Sequence, residues 1–513
     1  MSRTKSFFSG ALFTYLYQGG AMFVGIWLTP FYIHSLGTKD FGVWLVGLQV
    51  LTFLLLIDFG IIGVMPRDVG HAAGAELSEG GSDRLSLLMG QTVKVVLAQT
   101  VIVAIACLGL FLFGRGTAAS LRGPVGLILL VFTISYPLRI FPATLQGLQD
   151  LSFLGQLRLC LWALATALTV VLLMTGARFY ALAWGWCFQQ MGHDLVAAIR
   201  LRRLRPDLLT YETMRKSGPL RWRWFGRGFW VSVGQGAYTL LAGSDLLVLA
   251  RVLGPSIVVT YSCTAKLANV LQNQPQILAG VALPGLSHMK TSESRERILR
   301  ATTSLTQGIL LLAGIVFCVV LSVNREFVSL WIGPSFFGGV QLTVLLGLNI
   351  LARQIDYTLA IALFALGYER LSAIRCLLDG ITSIALALVL APRLGLPGIT
   401  LGYLLGAVLV AIPLDLYFFA KEFRISVWAA LAPYTPYLWR FALVAAAGYA
   451  VMIPLAHAAW WGLVGGAFLV LVAYAGIVVP YVWTTPLREY IQTIVASLRA
   501  AMRNRMLSIS NNA

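Results

Sequence analysis

The sequence predicts an all-α, polytopic membrane protein of about fourteen transmembrane helices, and three observations predict it. Apolar residues make up 58% of the 513 residues against 11% charged, and mean hydropathy is +0.81. Runs long enough to cross ~30 Å of hydrocarbon recur along the whole chain. The 38 Lys and Arg, which give a formal net charge of +18, collect in alternate connections between those runs. With the N-terminus inside, inner segments carry about 25 of them and outer segments about seven, the asymmetry that orients a membrane protein. No nucleic-acid partner is indicated by that pattern.

The first element follows MSRTK: an apolar stretch from Phe7 to about Ile33, too long for a signal-peptide core and without a small-residue cleavage site. Further windows near 41–64, 86–114, 124–148, 153–175 and 179–199 complete an N-terminal lobe of six helices over residues 1–200. A basic cytoplasmic linker at 201–227 follows, part of a block that includes Arg200, Arg202, Arg203, Arg205, Arg215, Lys216, Arg221, Arg223 and Arg227. Windows near 228–250, 256–284, 303–324, 339–366, 372–391 and 397–419 form a C-terminal lobe over 228–420. Two extra helices lie near 438–457 and 460–484, within 437–485, and have no partner in the first half. They are a lipid-facing appendage, a docking surface or part of a lipid-tail groove. The tail, 486–513, reads as a basic amphipathic helix on the inner leaflet, with Ile491, Ile494 and Leu498 on one face. Both termini are then cytoplasmic. The longest outer connection runs from about Val323 to Gly338.

The two lobes read as a parallel repeat. LGTKDFGVW from Leu36 matches LGPSIVVTY from Leu253 at an offset of 217, and GVMPRDVGH from Gly63 matches GVALPGLSH from Gly280. Gly147, Leu148 and Gln149 match Gly367, Tyr368 and Glu369 at an offset near 220. An interval of six helices, an even number, keeps the halves in one orientation.

Chemistry is bounded mainly by absence. The six cysteines sit singly in apolar segments, which gives neither a disulfide framework nor a zinc site. There is no HExxH, GxSxG or Walker loop and no carboxylate pair at metal spacing, so no catalytic residues, metal or cofactor are assigned, and the chain is read as a non-enzyme. Five prolines, Pro30, Pro137, Pro142, Pro275 and Pro284, interrupt helix windows.

The candidate site residues are charges and amides inside the windows. Ser262, Lys266, Asn269, Asn273 and Gln276 recur at i, i+4, i+7, i+11 and i+14, within an arc of roughly 80°. A lysine near mid-membrane costs about 2.5–3.5 kcal/mol, so this stripe faces a polar cavity or another helix rather than lipid. Either it lines a wet cationic cavity, or Asn and Gln bond across helices and Lys266 pairs internally, with Asp245 or Asp356 as partner. Lys94, Arg139 and Arg353 are further cations, and Asp58, Asp245 and Asp356 further acids. Arg139 shares a face with Tyr136 and Gln146, while Arg353 and Asp356 stand at i, i+3, spaced for an ion pair. Arg158, Arg375, Asp379 and Asp415 lie nearer helix ends, where snorkelling explains them.

The first helices with FYIHSLGTKDFGVWLVGLQVLTFLLLIDFGIIGVMPRDVG, the later SDLLVLARVLGPSIVVTYSCTAKLANVLQ, ALPGLSH and LWIGPSF resemble the polysaccharide transporter branch of the multidrug/oligosaccharidyl-lipid/polysaccharide exporter superfamily, closest to Wzx-type flippases. The resemblance implies a MATE-like, V-shaped bundle of two six-helix lobes with a central cavity of alternating access. It also implies an undecaprenyl-diphosphate-linked oligosaccharide as substrate, moved from the cytoplasmic to the outer leaflet of a bacterial inner membrane for surface polysaccharide synthesis. Basic lumen residues would meet the diphosphate, which makes Lys94, Arg139, Lys266 and Arg353 substrate-binding candidates beside Asn269, Asn273 and Gln276. Ion coupling in relatives makes Asp58, Asp245 and Asp356 coupling candidates. Implied partners are the lipid-linked substrate, membrane lipids, and polymerase and export machinery. The competing functions are a multidrug exporter of the same superfamily, a flippase for the peptidoglycan lipid precursor, and a membrane-embedded enzyme acting on lipid-linked sugar.

Overall fold

A computed structural model describes residues 3–58, 60–79, 84–113, 119–209, 223–455, 459–489 and 492. Among them there are helices and turns and no strand. In chain order the helices are α1 Arg3–Leu36, α2 Thr38–Leu54, α3 Ile61–Glu79, α4 Arg84–Phe113, α5 Ala119–Ser135, α6 Ile140–Gly147, α7 Leu151–Met174 and α8 Phe179–Leu204. They continue as α9 Arg223–Val252, α10 Pro255–Ser292, α11 Arg295–Trp331, α12 Val340–Ala365, α13 Glu369–Leu394, α14 Leu396–Gly406, α15 Ile412–Phe423, α16 Val427–Leu431, α17 Thr435–Leu455 and α18 Ala459–Val482. Ten helical segments of the described residues are long and apolar enough to span a membrane, which makes the chain a multi-pass membrane protein. The other four expected windows fall on α1, α8, α10 and α17, with 34, 26, 38 and 21 residues. Large apolar side chains such as Phe23, Trp27, Phe113, Trp461 and Phe468 stand exposed, an arrangement a lipid solvent accepts and water does not.

The chain divides into two compact units, Met1–Leu240 and Leu241–Ala513. In the first, α7 packs against α1 and α8, α5 against α8, and α3 against α4 and α6, around the buried side chains of Leu85, Met89, Tyr136, Leu145 and Leu201. In the second, α11 is the central post, packed on α10, α12, α17 and α18. Phe317, Tyr437, Phe441 and Tyr474 form the middle of that core, and the Tyr474 hydroxyl donates to the Leu311 carbonyl at 2.6 Å. The two extra helices are therefore part of the second unit's core through α11.

Left-handed backbone at matching junctions supports the repeat. Gly37 (φ 84°, ψ 157°) and Gly254 (φ 93°, ψ 159°) precede α2 and α10 in one conformation, 217 residues apart. The third junction needs a correction. The α6 and α12 ends carry the same Schellman cap, with Gln149 N–H on Gln146 O and Asp150 N–H on Leu145 O in one, Gly367 N–H on Phe364 O and Tyr368 N–H on Leu363 O in the other. Gln149 (φ 65°) thus corresponds to Gly367 (φ 91°), an offset of 218. Gly147 serves packing instead: a Cβ there would lie 2.6 Å from Val69 Cβ and 2.7 Å from Pro66 O. A fourth pair appears at Arg178 (φ 47°, ψ −124°) and Gly395 (φ 64°, ψ −138°), 217 residues apart.

Other expectations meet a different outcome. The outer connection is shorter than Val323 to Gly338 because α11 continues to Trp331, with buried Asn324 donating to Thr264 O at 3.0 Å and Thr343 Oγ1 at 3.1 Å. Helices α1 and α10 run unbroken through Pro30, Pro275 and Pro284. Arg215, Lys216, Arg221, Arg223 and Arg227 of the basic linker, and the tail apart from Pro486, Leu487, Arg488, Glu489 and Gln492, lie outside the described side chains.

Candidate functional site

In the first unit the site forms where two helices break. Helix α2 ends in a 3-10 turn, Leu55–Asp58, and Asp58 Oδ1 accepts the Gly60 N–H at 2.7 Å, an Asx turn that holds the carboxylate against its own backbone. After α5 comes a second 3-10 turn, Tyr136–Arg139, whose Pro137 has no N–H to continue the helix. The turns meet. Arg139 Nη2 donates to Asp58 Oδ2 at 3.3 Å, and Gln99 Nε2 donates to the Asp58 carbonyl at 3.1 Å. The guanidinium lies over the Tyr136 ring, 5.5 Å from its centroid. Arg139 Nη1 and the Tyr136 hydroxyl are buried and make no hydrogen bond among the described residues. Both residues line a cavity of about 290 Å³, walled by Leu51, Phe132 and Trp186, with Thr52 and Gln190 also in the lining.

In the second unit, the Lys266 stripe occupies a partly exposed face of α10. Asn269 and Asn273 are exposed, and Ser262, Lys266 and Gln276 are half-buried, whereas Cys263, Thr264, Ala265 and Ala268 on the other side are buried. Among the described residues Lys266 makes no hydrogen bond or ion pair, and the side chains of Asn273 and Gln276 make no hydrogen bond. Asn269 accepts from Gln272 on its own helix at 3.2 Å. The internal partners proposed for Lys266 are engaged elsewhere. Asp245 accepts from the Tyr261 hydroxyl at 3.1 Å and from the Leu246 N–H at 2.8 Å. Asp356 is bound by Arg375 and stands 3.8 Å from Arg353.

Arg353 belongs to a closed network. Its guanidinium grips Asp379 through both terminal nitrogens and donates to the Tyr403 carbonyl at 2.9 Å. Arg375 joins Asp356 to Asp415, whose Oδ1 lies 3.2 Å from its Nε. Arg375, Asp379 and Asp415 are all buried, so the snorkelling expected of them does not occur. Helices α12, α13 and α15 cover them, and Gly406 at the end of α14 leaves the space. A Cβ there would strike Ser383 Oγ and lie 2.9 Å from Asp379 Oδ1. Arg158, by contrast, lies over the Tyr17 ring at 4.5 Å.

The structure thus joins Asp58 to Arg139 and Arg353 to Asp356, and leaves Lys266, with Asn269, Asn273 and Gln276, on a partly exposed face. Lys94 is half-buried on α4. Phe132, Trp186 and Gln190 had not been singled out from sequence; Trp186 and Gln190, at i, i+4 on α8, were the available signal.

No protein-family model matches the chain. It is 21% identical over 392 residues to the uncharacterized membrane protein EpsK of Bacillus subtilis (strain 168), covering 74% of this chain and 76% of that one. Among solved structures it is similar to the lipid II flippase MurJ in an inward closed conformation, with TM-score 0.59, 10% identity, and 92% and 99% of the two chains covered. It is also similar to an inward-facing multidrug resistance MATE family transporter of the MOP superfamily, with TM-score 0.55, 12% identity, and 79% and 94% covered. The chain has the fold these transporters share.

Proposed function

We propose that the protein is a flippase that carries an undecaprenyl-diphosphate-linked oligosaccharide from the cytoplasmic to the outer leaflet by alternating access, for surface polysaccharide synthesis in a bacterial inner membrane. The observation that supports this best is Lys266, a cation on a polar helix face with no counterion among the described residues. An ammonium placed in a membrane unit without a partner costs stability, and a diphosphate supplies the missing charge in a weakly screened setting. The neighbouring amides of Asn269, Asn273 and Gln276 offer donors and acceptors suited to sugar hydroxyls. The fold agrees with this reading, since it is found in a protein described as a lipid II flippase. An organic cation, the cargo of a multidrug exporter, would be repelled at Lys266.

Of the three acids assigned to ion coupling, Asp58 and Asp356 are neutralised by arginines. Asp245 has no cation within ion-pair distance among the described residues, which makes it the strongest of the three. Lys94 and Arg139 remain substrate contacts in this proposal, while Arg353 holds the second unit together. The lipid-linked substrate is supplied and consumed by glycosyltransferases, polymerase and export machinery.

The test is complementation. Lys266→Ala is expected to reach the membrane at the wild-type level and to restore no surface polysaccharide. Undiminished polysaccharide from that variant would overturn the proposal.

A further inference from the structure

We infer that Asp415 of α15 carries a resident proton, which makes the buried network of the second unit a proton-binding site that seats α15 against α12 and α13. The site is independent of the cargo carried. Two arginines face three carboxylates there: Arg353 and Arg375 contact Asp356, Asp379 and Asp415, so with every acid ionised the cluster keeps one negative charge in excess. The Asp379 and Asp415 side chains are 0% and 1% exposed, and none of the five exceeds 15%. Water cannot screen the excess, and a buried carboxylate without a counterion sheds its charge by taking a proton.

Among the described residues no neighbouring element supplies the missing cation. On α11, Arg295, Arg297, Arg300 and Arg325 are exposed. So are Arg370 and Arg393 of α13 and Lys421 of α15. Lys290 of α10 donates to the Leu366 carbonyl at 2.6 Å. The remaining titratable groups close by add no positive charge: Cys376 is a buried thiol next to Arg375, and Tyr403 of α14 offers Arg353 its carbonyl. Tyr357 of α12 is half-buried, and Glu422 of α15 accepts from the Tyr368 hydroxyl at 2.6 Å. The short helix α16 and the turn Ala407–Ala411 have no titratable side chain.

Hydrogen bonding decides which acid takes the proton. Asp379 accepts from both terminal nitrogens of Arg353 and from the Ser383 hydroxyl at 3.0 Å. Asp356 accepts from Arg375 Nη1. Asp415 is served worst. Arg375 Nε stands 3.2 Å from its Oδ1 without the alignment of a hydrogen bond, and its Oδ2 is buried with no donor among the described residues. A proton on Oδ2 turns an unmet acceptor into a donor. The Asp356 carboxylate lies within hydrogen-bond reach of Asp415 and accepts it. The five side chains then balance, and the new bond joins α15 directly to α12. The proton comes from water as the helices close and returns there when they part, since an aspartate in water is ionised above about pH 4. No other group changes charge.

The experiment is infrared difference spectroscopy at neutral pH on the full chain in lipid nanodiscs, wild type against Asp415→Asn. The substitution is expected to remove a carboxylic-acid C=O band and to leave the carboxylate bands intact. Asp379→Asn, which replaces an ionised partner of Arg353, should remove carboxylate absorbance instead. Loss of a carboxylate band in Asp415→Asn would overturn the inference. Thermal unfolding gives a second reading. Asparagine at 415 is neutral and can donate to Asp356 as the acid does, so Asp379→Asn should lower the unfolding temperature several times as much as Asp415→Asn. Equal or reversed losses, or an Asp415→Asn protein that does not fold, would also overturn it.

Discussion

The two units share a scaffold and use charge in opposite ways. In the first, the ion pair between Asp58 and Arg139 sits at two helix breaks, with Arg139 also in the lining of a cavity. In the second, the corresponding stretches run as unbroken helices, α10 and α12, and Arg353, Arg375, Asp356, Asp379 and Asp415 close into a buried network. The junction residues Gly37/Gly254 and Arg178/Gly395 keep one backbone conformation at a spacing of 217. The bends are shared and the charges are not: in the second unit they tie α12 to α13 and α15.

The largest effect should separate the networks. Arg353→Ala strands Asp379, whose side chain is fully buried, and is expected to cost about 3–5 kcal/mol, while Arg139→Ala, whose partner Asp58 keeps the Gly60 N–H and some exposure, should cost about 1–3 kcal/mol. Thermal unfolding of the detergent-solubilised variants measures both; equal losses would erase the distinction drawn between the units. Next in size, Gly406→Ala forces Ser383 and Asp379 aside and should destabilise by about 1–3 kcal/mol in the same assay, with no change expected if the network is loose. The smallest pair tests the shared bend. Arg178→Gly should stabilise by about 1 kcal/mol by relieving a left-handed backbone, and Gly395→Ala should destabilise by a similar amount. Effects of one sign at both positions would mean that the two junctions are not equivalent.

Much of this was legible in sequence, and the limits have physical causes. Apolar windows located the helices because lipid imposes length and composition together. The repeat was visible through Gly and Pro, yet its third junction was aligned two residues off. Gly147 looked like the partner of Gly367, while the residue with the matching left-handed backbone is Gln149, whose side chain gives no such sign. Asp58, Arg139, Lys266 and Arg353 stood out as intramembrane charges. Which of them pair did not, because pairing joins helices distant in sequence: Arg353 and Asp379 are 26 positions apart, Arg139 and Asp58 81. Arg375, Asp379 and Asp415 were read as snorkelling because position along a helix does not reveal whether a neighbouring helix covers it.

What distinguishes Lys266 from every arginine in these pairs is that the protein supplies it no anion among the described residues. The most direct measurement is the affinity of undecaprenyl diphosphate, free of sugar, for wild-type protein, Lys266→Ala and Lys266→Arg in nanodiscs. At least tenfold weaker binding is predicted for the alanine variant, with affinity retained in the arginine variant, since an open diphosphate site tolerates the longer cation. Equal affinity in all three proteins would contradict the assignment of Lys266 to the diphosphate.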